Sequence, residues 1–75
     1  MILSRAKIML ELARSSMTIG ELAATSGLSR SAVDSAMKGK AIRPKSAGKI
    51  AHALNVDVAK LEREGGESIA ENAND

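Results

Sequence analysis

The sequence predicts an all-α fold, a compact bundle of five short helices, and three observations support this prediction. The 75 residues include no cysteine, phenylalanine, tyrosine or tryptophan, so one core of aliphatic side chains must hold the chain together. Helix start and stop signals recur at short intervals. No stretch shows the alternating pattern of a half-buried strand. We expect one domain over residues 1–64, followed by a flexible acidic tail over residues 65–75.

The first helix is expected to run from Leu3 to Ser15, because this stretch contains good helix formers and neither glycine nor proline. Its apolar residues cover roughly 220° of a helical projection, which is more than one core face requires. The extra stripe around Leu3 and Leu10 therefore either packs under the C-terminal segment, which we favour, or meets a second subunit. The residues expected to face solvent are Ser4, Lys7, Glu11 and Arg14.

The second and third helices are marked by their caps. Thr18 and Glu21 have the T-x-x-E spacing of a capping box, and Gly27 is placed to end the helix that they begin. Ser29 is expected to cap a third helix over residues 30–38, whose free face is small and polar.

Two further helices follow. Pro44 favours the start of a fourth helix, and Asn55 is its stop signal. Asp57 is then expected to cap a fifth helix that carries Val58 and Leu61.

The basic charge is concentrated in one part of the chain. Residues 1–49 carry a net charge of +6 and residues 50–75 a net charge of −4, which together give the overall +2. The stretch from Arg30 to Lys49 is the densest, with six lysines and arginines against Asp34 alone. Such a local charge is typical of a surface that binds a polyanion, although a solvated basic surface has the same composition.

Two short capped helices joined by a glycine turn, with an arginine leading the second helix, form a helix-turn-helix pattern. The second helix of such a pair fits the major groove of B-DNA. There serine can bond to any base edge and arginine can bridge the two acceptors of guanine. The structural alternative is an ordinary helical hairpin in a small bundle. The basic stretch that follows favours DNA binding.

Four segments occur in a characteristic order: "TIGELAATSGLSRSAV", the Gly39-Lys40 pair, "RPK" at 43–45 and "IAHALNVDVAKL". With these segments the chain, over roughly Ile8 to Leu61, resembles the lambdoid-repressor-like, Cro/CI-type (XRE) helix-turn-helix domains of phage and bacterial regulators. The loop "GKAIRPK" is similar to that of 434-type phage repressors and Cro proteins. The resemblance implies a five-helix lambda-repressor-like DNA-binding domain with the helix-turn-helix at its second and third helices.

The resemblance also implies roles for individual residues. Contacts to base edges are implied for Arg30, Ser31 and Ser35, and for Lys38, which could serve either role. Contacts to phosphates are implied for Ser29, Lys40, Arg43 and Lys45.

The chain departs from the family pattern at two places. The family commonly has a glutamine at the first turn of its second helix, where this chain has Ile19. It also often pairs an arginine in the first helix with a glutamate near the end of the third, where this chain has Leu12 and Met37. Because an ion pair can be replaced by two apolar side chains at little cost, we expect Leu12 and Met37 to touch.

We therefore expect a sequence-specific, double-stranded DNA-binding transcriptional regulator, a repressor or Cro-like protein that acts as a homodimer on a pseudo-palindromic operator. A dimer is expected because one small module on one half-site would have little specific affinity at physiological salt. Two recognition helices would then enter successive major grooves about 34 Å apart. The expected interface residues are Val56, Val58, Leu61 and Glu62, with the extra apolar face of the first helix as the rival.

The alternative function is that of a protein-interaction module with the same fold, such as the antitoxin of a toxin–antitoxin pair. Such a module would order the acidic tail against a basic protein partner. A pull-down set beside a gel shift would separate the two functions.

No enzymatic activity, cofactor or metal site is expected. His52 lies on the outer side of the fourth helix, and Glu62 and Glu64 lie at a solvated helix end without a cleft. No stretch approaches the roughly eighteen apolar residues of a membrane span, and Arg5 and Lys7 interrupt the apolar run that a secretory signal needs. We expect a cytoplasmic, DNA-associated protein without membrane contact.

Overall fold

The computed structural model describes residues 1–63, and four α-helices form most of this part of the chain. Helix α1 spans Arg5–Ser15, α2 spans Ile19–Ser26, α3 spans Arg30–Met37 and α4 spans Pro44–Ala53. Residues 1–63 contain no β-strand, only an isolated bridge between Leu3 and Glu62. The all-α prediction is confirmed, whereas the tail expected over residues 65–75 lies outside the described residues.

A single 3₁₀ turn, Val58–Lys60, stands where a fifth helix was expected. Asp57 begins it as expected, because its Oδ1 accepts a hydrogen bond from the Ala59 amide at 2.9 Å. The amides of Lys60 and Leu61 donate to carbonyls three residues earlier, a tight pattern that seldom continues beyond about four residues. The described part of the bundle therefore has four α-helices and one 3₁₀ turn.

The caps fix where the helices begin. Helix α1 begins at Arg5 rather than Leu3 because Ser4 caps it, its Oγ accepting from the Lys7 amide at 3.2 Å. The capping box of α2 is complete: the Thr18 amide donates to Glu21 Oε1 at 2.8 Å, and the Glu21 amide donates to Thr18 Oγ1 at 3.0 Å. These side chains satisfy amides that a helix start otherwise leaves without acceptors.

One aliphatic core joins the elements. Helix α2 contacts both α3 and α4, and α3 contacts α1. The largest fully buried side chains are Leu3, Ile8, Leu22, Val33, Ile50 and Leu61. No helix within residues 1–63 combines the length and the apolar character that a membrane span requires.

Helix α1 turns a different face to the core than its sequence suggested. Glu11, expected in solvent, is only 4% exposed, and its Oε1 lies 3.7 Å from Arg14 Nε. Ser4, which caps the helix and donates its amide to the Leu61 carbonyl, is also buried. The buried side of the helix carries Ile8, Glu11 and Leu12, so Met9 and Leu10 are left on the outside. The prediction for Ser4 and Glu11 was wrong because the apolar residues extend around most of this helix.

Leu12 and Met37, which replace a charged pair of the family, are both buried members of the same core cluster. Both side chains are thus removed from water. Burial suits this pair, because neither residue carries the charge that the family has at its position. Their direct contact stays a prediction.

The first four residues link two distant parts of the chain. The Ile42 amide donates to the Met1 carbonyl at 2.8 Å, in the loop before α4. On the other side, the Ser4 amide donates to the Leu61 carbonyl at 2.7 Å, and the Arg63 amide donates to the Ile2 carbonyl at 2.9 Å. Leu3 is therefore buried beneath the C-terminal part of the described chain, as favoured from the sequence, whereas Leu10, named with it in that prediction, is exposed in the described structure.

Candidate nucleic-acid interface

A glycine turn sets α3 against α2. Gly27 ends α2 with a φ of 79°, a left-handed conformation that glycine adopts without strain. Leu28 packs against the core, and Ser29 then caps α3, its Oγ accepting from the Ala32 amide at 3.1 Å. The turn and the cap together fix the direction of α3. Both features agree with the sequence prediction.

Helix α3 has a buried apolar side and an accessible polar side. Val33, Ala36 and Met37 are buried and anchor the helix. The residues implied for base contacts remain accessible: Arg30, Ser31 and Lys38 are exposed, and Ser35 is half-buried. The accessible side is therefore small and polar apart from its two cations, as a helix that approaches base edges requires.

Arg30 connects the beginnings of α2 and α3. Its Nε lies 3.4 Å from Asp34 Oδ1, and the two side chains are 62% and 45% exposed. Its Nη1 also lies 3.8 Å from the point where a Cβ on Gly20 would stand. The guanidinium thus lies beside the first turn of α2. That turn carries Ile19, which is half-buried against the core and offers no polar group.

The Arg30–Asp34 pair was not predicted from the sequence. Its spacing of four residues on a helix was the available signal, since side chains at that spacing lie next to one another. The position of Arg30 over Gly20 depends on the angle between two helices and has no comparable signal in the sequence.

The basic loop between α3 and α4 is attached to α3 by its backbone. The Lys40 amide donates to the Ser35 carbonyl at 3.1 Å, directly after Gly39 with its φ of 79°. The cations implied for this region, Lys38, Lys40, Arg43 and Lys45, are all exposed. None of them pairs with a carboxylate within residues 1–63. Their charge therefore remains available to an anionic partner.

The start of α4 adds backbone donors to this basic loop. Arg43 precedes the helix, and its side chain makes no capping hydrogen bond. Pro44 has no amide hydrogen, and no acidic residue occurs in the first turn. A helix N-terminus without a side-chain acceptor presents N–H groups and a partial positive charge, which together suit a phosphate.

The residues expected at a dimer interface are distributed unevenly between core and surface. Val56 and Val58 are half-buried against the core, and Glu62 is exposed. Leu61 is fully buried, so its side chain fills the core and offers no surface to a second subunit. The prediction that Leu61 contacts a second subunit is therefore corrected, because the residue is buried in its own chain.

His52 and the acidic residues of the described chain form no cluster that could bind a metal ion. His52 is exposed on α4, as expected. Across residues 1–63, no three histidine, aspartate or glutamate side chains come close enough together to hold a metal ion.

A small all-α bundle whose second and third helices are joined by a glycine turn, with a polar outer face on the third, defines a helix-turn-helix domain. The model of the helix-turn-helix family matches residues 8–61, which is more than two thirds of the chain. The chain therefore belongs to the Cro/CI-type (XRE) helix-turn-helix family, a family of DNA-binding transcription regulators. No curated protein and no solved structure shows a significant match to the chain.

Proposed function

We propose that this protein is a sequence-specific repressor or Cro-like regulator that binds a pseudo-palindromic operator in duplex DNA as a homodimer and blocks transcription. The observation that carries the proposal is the accessible side of α3. Arg30 and Ser31 are exposed there, while Val33, Ala36 and Met37 hold the helix to the core.

The residues that contact base edges lie on α3 or directly after it. Ser31 and Ser35 are four residues apart and so lie on the same side of the helix. Their short side chains let the helix approach the floor of the major groove, where each hydroxyl can donate or accept. Arg30 bridges O6 and N7 of a guanine after it turns away from Asp34, and Lys38 contacts a base or a phosphate beyond the last turn.

Phosphate contacts hold α3 in position. Lys40, Arg43 and Lys45 neutralise backbone phosphates, and the uncapped start of α4 donates its amides to one of them. Ser29 contributes its hydroxyl hydrogen, because only its oxygen is used in capping α3. These contacts raise affinity for every sequence and make binding dependent on salt.

Dimerisation supplies the rest of the specificity. Val56, Val58 and Glu62 form the surface that meets a second subunit, and two copies present their α3 helices about 34 Å apart. Such a dimer reads two inverted half-sites, and the product of two modest affinities gives useful discrimination.

Selection from a random duplex library by the full chain tests this proposal. We expect enriched sequences with two inverted half-sites whose centres are separated by about 10 base pairs, one turn of B-DNA. Enrichment of a single half-site would contradict the dimer. No enrichment at all, together with capture of one defined protein from the native host, would favour a protein-interaction module instead.

A further inference from the structure

Helix α1 carries an apolar stripe on its outer side. This α1 stripe consists of Ala6, Met9, Leu10 and Ala13, and all four residues are exposed. The two largest, Met9 and Leu10, are 44% and 59% exposed. At about 100° per residue, the four side chains fall within a sector of roughly 100°. Arg5 borders one edge of that sector and Arg14 the other, and both are exposed.

The charges around the α1 stripe select its partner. Glu11, the one acidic residue of α1, is buried and lies beside Arg14, so the border of the stripe is purely cationic. A second copy that packed through the same stripe would bring arginine against arginine, since a two-fold interface pairs identical surfaces. An acidic segment with a few apolar side chains complements both the stripe and its border.

Such a segment begins beside α1. The Lys7 ammonium donates to the Glu62 carbonyl at 3.0 Å, and the Arg63 amide donates to the Ile2 carbonyl at 2.9 Å. The last described residues are thus held against the first turns of α1. The next twelve residues carry no lysine or arginine. Their acidic residues are Glu64, Glu67, Glu71 and Asp75, and their apolar side chains are Ile69, Ala70 and Ala73.

The distances permit this segment to reach the stripe. Six residues from Arg63 to Ile69 span up to about 20 Å when extended. Helix α1 advances only about 7 Å from Arg5 to Leu10. The segment is therefore long enough to reach Met9 and Leu10 of the same chain.

We propose that residues 67–75 dock on the α1 stripe of the same chain. Ile69, Ala70 and Ala73 cover the stripe, and the carboxylates of the segment face Arg5 and Arg14. This contact removes apolar surface from water and keeps α1 from associating with other proteins. The inference is independent of DNA binding, because it involves none of the residues assigned to DNA.

Nuclear Overhauser contacts between methyl groups in the full chain test the docking. We expect a contact from the Ile69 methyl groups to Met9 or Leu10, together with amide shifts along α1 when residues 64–75 are deleted. Absence of both would overturn the proposal. A contact seen only between differently labelled chains in a mixed sample would also overturn it, because the occupant would then be the segment of a second copy.

Two variants that each lower the net charge by one provide a test of the docking and its control. Leu10→Glu places a carboxylate within the stripe and should abolish the Ile69 contact, whereas Lys49→Gln, at an exposed position of α4, should leave it unchanged. The buried Met37 methyl reports whether each variant is folded. Glu71→Gln, a substitution outside the described residues, should weaken the contact. A Leu10→Glu chain that is folded and keeps the contact would contradict the docking.

Discussion

The Nε of Arg30 lies 3.4 Å from Oδ1 of Asp34, one turn further along α3. Both side chains are largely exposed, and exposed pairs at this spacing typically contribute only about 0.3–0.5 kcal/mol to stability. The pair therefore matters more for the surface of α3 than for the fold. It directs the arginine that we assign to guanine, and it places a carboxylate close to where phosphates would approach.

Asp34→Asn is expected to strengthen binding to duplex DNA. The substitution removes a negative charge from the proposed DNA-facing side, and one charge interaction near 4 Å in water is worth roughly 1 kcal/mol. The free energy of unfolding should fall by less than about 0.5 kcal/mol. Fluorescence anisotropy and urea unfolding measure the two quantities. Weaker binding would mean that the carboxylate is needed to position Arg30.

Arg30→Ala is expected to reduce both affinity and selectivity. Loss of a bidentate contact to guanine costs about 1–3 kcal/mol on the preferred site and relaxes preference at that base pair. Titrations with the selected duplex and with a scrambled duplex of equal length measure the difference. An equal loss on the two duplexes would assign Arg30 to a phosphate near the first turn of α2 instead.

Lys40→Ala is expected to weaken binding to all sequences alike. The lost phosphate contact reduces the slope of log K against log salt by about 1. Lys49→Ala is the matched control, because Lys49 is also exposed and basic but has no assigned contact. Titrations over a range of salt concentrations give the slopes. Identical slopes for the two variants would remove Lys40 from the interface.

Leu12→Arg is expected to destabilise the bundle, and Met37→Glu in the same chain to restore part of the loss. A single charge in place of buried Leu12 lacks a partner, which typically costs about 3–5 kcal/mol, whereas the double variant recreates the ion pair of the family. Urea unfolding of both single variants and the double variant gives the coupling energy. Additive effects would show that Leu12 and Met37 do not touch.

The order of the helices could be predicted because their ends depend on local chemistry. Thr18, Glu21 and Ser29 cap neighbouring amides, and Gly27 takes a left-handed conformation, so each signal lies within a few residues of its effect. The accessible side of α3 was predicted for the same reason. Its few apolar residues leave only one way to face the core.

The orientation of α1 could not be predicted because its apolar residues cover most of its circumference. Whether Glu11 or Leu10 faces inward depends on where α3 and the C-terminal part of the described chain pack. The sequence likewise showed Leu61 as apolar but not that it fills the core. Both outcomes depend on contacts between residues far apart in the chain.

The backbone links made by the first four residues have a consequence for how the molecule is built. Met1 and Ser4 are hydrogen-bonded to Ile42 and Leu61, so the first residues depend on partners that are synthesised much later than they are. A ribosome-bound fragment that stops before Leu61 can form the Met1–Ile42 bond but lacks the Ser4–Leu61 bond and the Leu61 side chain that fills the core. The core of the domain therefore closes only after synthesis has passed that point.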